Sequence, residues 1–164
     1  MNFNSFKKYL WLLVFFILQL SFFTIFHFEG VVPNLILVFV VGCVFFSKYP
    51  HQLLIISAGL LLDIFFYPGF GIGLLTLATI SFLFFKLIKK LLFKDNLIVF
   101  LVSLIGVTFL YYLLITTFSY GLSFIFVNIK LINLKPFLFI LKQSLYNLII
   151  GLIVFLLFNK KHLK

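Results

Sequence analysis

Residues 59–73 read GLLLDIFFYPGFGIG, and the reading of this stretch decides the fold. Asp63 has apolar or aromatic residues at every position for four places on either side. The run ends at Pro68, which cannot continue a helix, and the PGFG that begins there marks a tight turn into a new one. The stretch therefore reads as the end of one apolar helix and the start of the next. The chain carries only three acidic residues in all, so an acid in that setting requires a reason.

Working outward, composition sets the class. Of 164 residues, 65% are hydrophobic and 21% aromatic, with only 10% charged. A water-soluble domain of this length cannot cover so much apolar surface, so the expectation is an all-α integral membrane protein. At roughly 20 residues per crossing, five or six spans use nearly the whole chain and leave no room for a soluble catalytic domain. All thirteen basic residues are Lys, which together with 27 Phe reads as an AT-rich coding sequence rather than a chemical choice. The single Cys43 excludes an intrachain disulfide and reads as a small packing residue.

The predicted architecture is one polytopic bundle over 1–164, with about six transmembrane helices at about 9–28, 31–46, 51–67, 72–91, 97–118 and 136–158. The first span follows Lys7 and Lys8 and lacks the short core and small-residue cleavage site of a signal peptide, so it is expected to remain. Pro33 opens the second, where a missing backbone donor is tolerated in the first helical turn. The third covers roughly 25 Å in its seventeen residues, at the short limit for a crossing. Residues 119–135, apolar but interrupted by Asn128, Lys130, Asn133 and Lys135, read as an interfacial or re-entrant stretch.

Lysine placement orients the bundle. With six spans, the N-terminus, the 47–51 turn, the 86–94 loop and the C-terminus share one side and hold ten Lys; the other side has Lys130 and Lys135, with Lys142 inside the start of span six. That asymmetry predicts a multi-pass protein with both termini in the cytoplasm. Asp63 then lies roughly 6 Å below the outer interface and Lys142 roughly 9 Å deep. An unpaired charge there costs about 2.5–3.5 kcal/mol on insertion scales, which predicts an Asp63–Lys142 pair with Asn34, Gln143 and Asn147 as hydrogen-bonding neighbours. Gly59, four residues before Asp63, shares its helical face and leaves room for a neighbouring helix, beside the small Ser57 and Ala58. Asp63 is thus either an anchor of the bundle or a group that contacts a partner or carries a proton.

Other signals point away from catalysis. Gly69-Phe70-Gly71-Ile72-Gly73 lacks the spacing and the preceding strand of a phosphate loop and reads as a turn. His27, His51 and His162 are dispersed along the topology, so no metal cluster is expected. Asp95 falls on the opposite side from Glu29 and Asp63, which excludes an acid–base pair. The lysines of KLIKKLLFK, Lys86, Lys89, Lys90 and Lys94, line one helical face and suit anionic lipid, at about 1 kcal/mol each near the surface. Docking of a cytoplasmic protein is the other use of that face, and nucleic acid is not an expected partner.

The order of these features resembles the rod shape-determining MreD family. The resembling residues are Pro33-Asn34 before an apolar run, Pro50-His51 at the following turn, Gly59-x-x-x-Asp63 near the end of span three, and Gly71 eight residues past the aspartate. They cover about residues 30–85. Family members often carry Ser-Gly shortly after the aspartate, where this chain has Phe66-Tyr67-Pro68. The resemblance implies a non-enzymatic inner-membrane component of the bacterial elongation machinery, without a cofactor. Its implied partners are the bitopic MreC, the actin-like MreB, and RodA with its transpeptidase. It also implies a bundle similar to the substrate-binding subunits of energy-coupling-factor vitamin transporters, with Pro33, Asn34, Gly59, Asp63 and Gly71 as fold or partner-contact positions. The alternative function is a small-molecule, vitamin-type binding or transport subunit, which needs several convergent polar groups. A lipid-modifying enzyme would need clustered carboxylates or histidines on one face, and the sequence has none.

Overall fold

The computed structural model describes residues 3–25, 31–46, 51–67, 70–91, 96–124 and 131–159, without the side chains of 3–6, 22–25, 87–91 and 159. These residues form six helices and no strand: α1 Phe3–Ile25, α2 Leu35–Phe45, α3 Gln52–Phe65, α4 Ile72–Leu91, α5 Leu97–Ser123 and α6 Phe137–Asn159. Pro50, Pro68, Gly69, Lys94, Lys130 and the C-terminal lysines lie outside the described residues, as do His27, Glu29, Asp95 and His162.

Among the described residues two helices, α5 and α6, are long and apolar enough to cross a membrane. α2 and α3 deliver less length than the hydrophobic runs promise, 11 and 14 residues, whereas α1 and α4 run to 23 and 20. The expected span 31–46 is helical only over Leu35–Phe45, because Asn34 caps the helix and Val31–Asn34 precede it as non-helical chain. Pro33 consequently lies before the cap and not in the first turn. Eleven residues rise about 16 Å, roughly half of a hydrocarbon core. Every residue of α2 is buried, the pattern of a helix apolar on all sides that forms the centre of a bundle. It touches all five other helices, while α3 packs along α4 and α5 along α6.

Burial recurs at helical spacing in the surrounding helices. In α1 the inward residues are Leu12, Phe15, Phe16 and Gln19; in α5 they are Phe100, Leu104, Val107, Thr108, Tyr111, Ile115 and Ser119. In α6 they are Ile140, Gln143, Ser144, Asn147, Gly151, Val154 and Phe155. Hydropathy does not distinguish these faces, since Leu, Ile and Phe stand on both; Gln19, Thr108, Ser119, Gln143, Ser144 and Asn147 mark the inward ones, although Gly106, Thr117 and Lys142 are exposed. Association of such helices depends on close packing and hydrogen bonds between them. At the end where α2 finishes, Phe46 stacks on Phe158 at 5.7 Å, and Phe100 lies 5.1 Å from Phe45 and 5.7 Å from Phe155. These offset and tilted rings use the quadrupole of the aromatic face as well as its area. The free thiol of Cys43 is buried in α2, as its reading as a packing residue anticipates.

The backbones of α3 and α4 approach closely at Gly59. A Cβ added at Gly59 would stand 2.5 Å from the Cα of Leu74, a backbone atom that cannot turn aside. Gly59→Ala is therefore expected to cost about 1–3 kcal/mol as overpacking. Gly106→Ala, whose Cβ meets nothing within 4 Å, should instead gain about 0.5–1 kcal/mol in helix propensity. Unfolding midpoints of the two variants in detergent check both signs.

Candidate functional site

The segment 59–73 builds a clamp between two consecutive helices. Gly71 stands immediately before α4 with φ +98°, a left-handed backbone conformation that glycine adopts without cost, and its carbonyl accepts from Leu75 N at 2.9 Å to close the first turn. The residue in the capping position thus has no side chain with which to satisfy the first amides of the helix. Asp63, from the last turn of α3, supplies the missing acceptor. Its Oδ2 accepts from Gly71 N at 2.9 Å and Leu74 N at 3.3 Å, and its Oδ1 accepts from Gly73 N at 2.5 Å.

An ionised carboxylate in this position makes charge-assisted bonds and faces the positive end of the α4 dipole. Gly73 is part of the fit, since a Cβ there would stand 2.9 Å from Asp63 Oδ1. Asp63 is only 4% exposed, so water cannot take over the capping.

These contacts of Asp63 differ from the expected ion pair. Lys142 is exposed, on the side of α6 that also carries exposed Leu138, Leu141 and Leu145, whereas Asp63 is turned into the bundle. The hydrogen bonds to the carboxylate come from three backbone amides. The expected polar neighbours are assembled, but around a different helix start. Asn34 caps α2 with its own Oδ1, which accepts from Leu37 N at 3.0 Å, and its backbone amide donates to Asn147 Oδ1 at 2.9 Å. Asn147 Nδ2 in turn donates to Thr108 Oγ1 at 3.0 Å, and Gln143 Nε2 donates to Val32 O at 2.7 Å. Gln19 of α1 completes the group by accepting from Ile36 N at 3.0 Å through Oε1.

Pro33, Asn34, Gly59, Asp63 and Gly71 therefore all lie at or beside the end of the bundle where α2 and α4 begin, the outer end in the lysine-based orientation. Gln19 and Thr108 are further members of the polar network that the charge-based reading omitted. Their signal was a polar group at core spacing within otherwise apolar helices. Tyr67, just past the end of α3, and Tyr111 of α5 are also missed: their hydroxyls meet. At the opposite end, Lys8 Nζ contacts His51 Nε2 and ties α1 to the start of α3. Lys86 lies 5.6 Å from the ring of Phe82, and Lys89 and Lys90 are described in backbone only. Part of the predicted interfacial stretch is helix, because α5 continues through Ser123; 125–130 lie outside the described residues. Among the described residues, no three His, Cys, Asp or Glu side chains converge on one point.

Comparisons with protein-family models, curated proteins and solved structures give no match for this chain.

The cap and the ion pair predict different mutant behaviour. Asp63→Asn keeps the volume but turns an acceptor into an NH2 group facing backbone donors, and is expected to cost about 1–3 kcal/mol. Lys142→Leu should change stability by less than about 0.5 kcal/mol, as exposed substitutions do. The double variant should equal the sum of the two, read as unfolding midpoints in detergent. A large Lys142→Leu loss that disappears in the Asp63→Asn background would restore the ion pair.

Proposed function

We propose that the protein is a non-enzymatic, multi-pass component of the bacterial inner membrane that scaffolds the elongation (rod) complex, directs lateral peptidoglycan synthesis and so maintains cell shape. The reading rests on the resemblance of Pro33-Asn34, Gly59-x-x-x-Asp63 and Gly71 to the MreD family. One observation supports it above the others: the acid at the centre of that motif is engaged by three backbone amides at the start of α4. A carboxylate engaged in this way holds a fold together, as a scaffold requires, and is poorly placed to shuttle protons.

In this reading the chain makes six spans with both termini in the cytoplasm. The lengths and apolarity of α5 and α6 and the ten-to-two bias of the loop lysines favour that arrangement. An MreC-like bitopic protein binds at the outer side, MreB works from the cytoplasm, and RodA with its transpeptidase completes the assembly. Lys86, Lys89, Lys90 and Lys94 meet anionic lipid at the cytoplasmic surface.

Depletion of the protein in its source bacterium, followed by microscopy, is expected to turn rods into spheres. Unchanged cell shape together with loss of uptake of a small solute would overturn the scaffold reading in favour of a transport subunit.

A further inference from the structure

A cavity of about 340 Å³ opens at the end of the bundle where α2 and α6 begin, within the volume range of small-molecule sites. Its walls bring together groups from five segments. Tyr67, Tyr111 and Tyr112 supply aromatic surface, and Asn34, Gln143 and Lys135 supply polarity.

Three features of the wall define what would fill it. First, Gln143 is 6% exposed and its amide orientation is fixed, because Nε2 donates to Val32 O at 2.7 Å. The remaining Oε1 is a buried acceptor with no partner among the described residues. Such an atom carries an uncompensated desolvation cost that an incoming N–H or O–H would relieve. Second, Lys135 is the one charged residue among those lining the cavity, and its ammonium is held 5.3 Å from the centre of the Phe139 ring. A cation at the rim, with no acid in the lining, favours an anion there. Third, the aromatic walls match a flat apolar body, which stacks or packs edge-on against tyrosine rings.

We propose that this cavity is a binding site for a small planar aromatic molecule that carries an N–H or O–H donor and a carboxylate or phosphate group. The donor meets Gln143 Oε1, the ring lies among Tyr67, Tyr111 and Tyr112, and the anion lies against Lys135. The site does not depend on the cell-shape reading, since a scaffold and a transport subunit could both contain it.

The test uses 4-hydroxyphenylacetate, which has all three features, with the full chain purified into phosphatidylcholine nanodiscs. Equilibrium dialysis of the labelled compound is expected to show saturable binding of one molecule per chain above empty nanodiscs. Phenylacetate, which lacks the donor, should compete about tenfold less well, since loss of one hydrogen bond to a buried group is of that size. This comparison leaves the protein unaltered, so it does not depend on whether a Gln143 variant folds. Lys135→Gln, at an exposed position, should weaken binding about threefold at low salt and much less at high salt, as expected for a screened rim charge. Uptake equal to that of empty nanodiscs overturns the proposal. Saturable binding that is indifferent to both the hydroxyl and Lys135 also overturns it.

Discussion

The arrangement depends on one constraint: the first amides of a helix have no partner within that helix. Where the start is exposed, water or a local residue suffices. The start of α5 is of this kind, with the exposed Asn96 accepting from Ile98 N at 3.2 Å. The starts of α2 and α4 are buried, and an unmet N–H there costs about as much as a lost hydrogen bond. Both therefore recruit acceptors from other helices. Asp63 of α3 serves α4; Gln19 of α1 and Asn147 of α6 serve the region around α2. Gln19, Asn34, Asp63 and Asn147 stand where backbone donors would otherwise be orphaned.

These recruited acceptors also give direction to an apolar bundle. Leu, Ile and Phe alone permit many rotations and shifts of one helix along another at similar energy. A carboxylate that must meet Gly71, Gly73 and Leu74 permits essentially one register of α3 on α4, and the contact of Gly59 with Leu74 selects the same one. Around α2, Asn34, Thr108, Gln143 and Asn147 fix three further elements in one stroke.

Six helices at nearly the expected places, the shared face of Gly59 and Asp63, and the importance of Asn34 were legible from residue order. Hydropathy runs mark where helices lie, and uncharged polar residues such as Gln19, Thr108, Gln143 and Asn147 mark inward faces. The length of α2 was not legible, because Val31 and Val32 continue the apolar run although the helix begins only after Asn34. The partner of Asp63 was hidden for a different reason. A search for opposite charge finds Lys142, whereas the groups that meet the carboxylate are peptide amides, which every residue except proline carries and composition cannot show. Depth along the membrane normal located Asp63 and Lys142 at similar heights without indicating that Lys142 is turned to the outside of α6. Gln19 was overlooked because an uncharged amide raises no alarm in a charge-based reading.

The two recruited caps differ in how far apart in the chain their parts lie, and this sets an order of assembly. Asp63 reaches amides only eight to eleven residues away, so α3 and α4 can close as a hairpin soon after both have been synthesised. The Asn34 amide waits for Asn147, 113 residues further on. The central helix is therefore nearly the first to be made and among the last to be completed. Until α6 arrives, its start is the point at which a nascent chain is most exposed to mispairing.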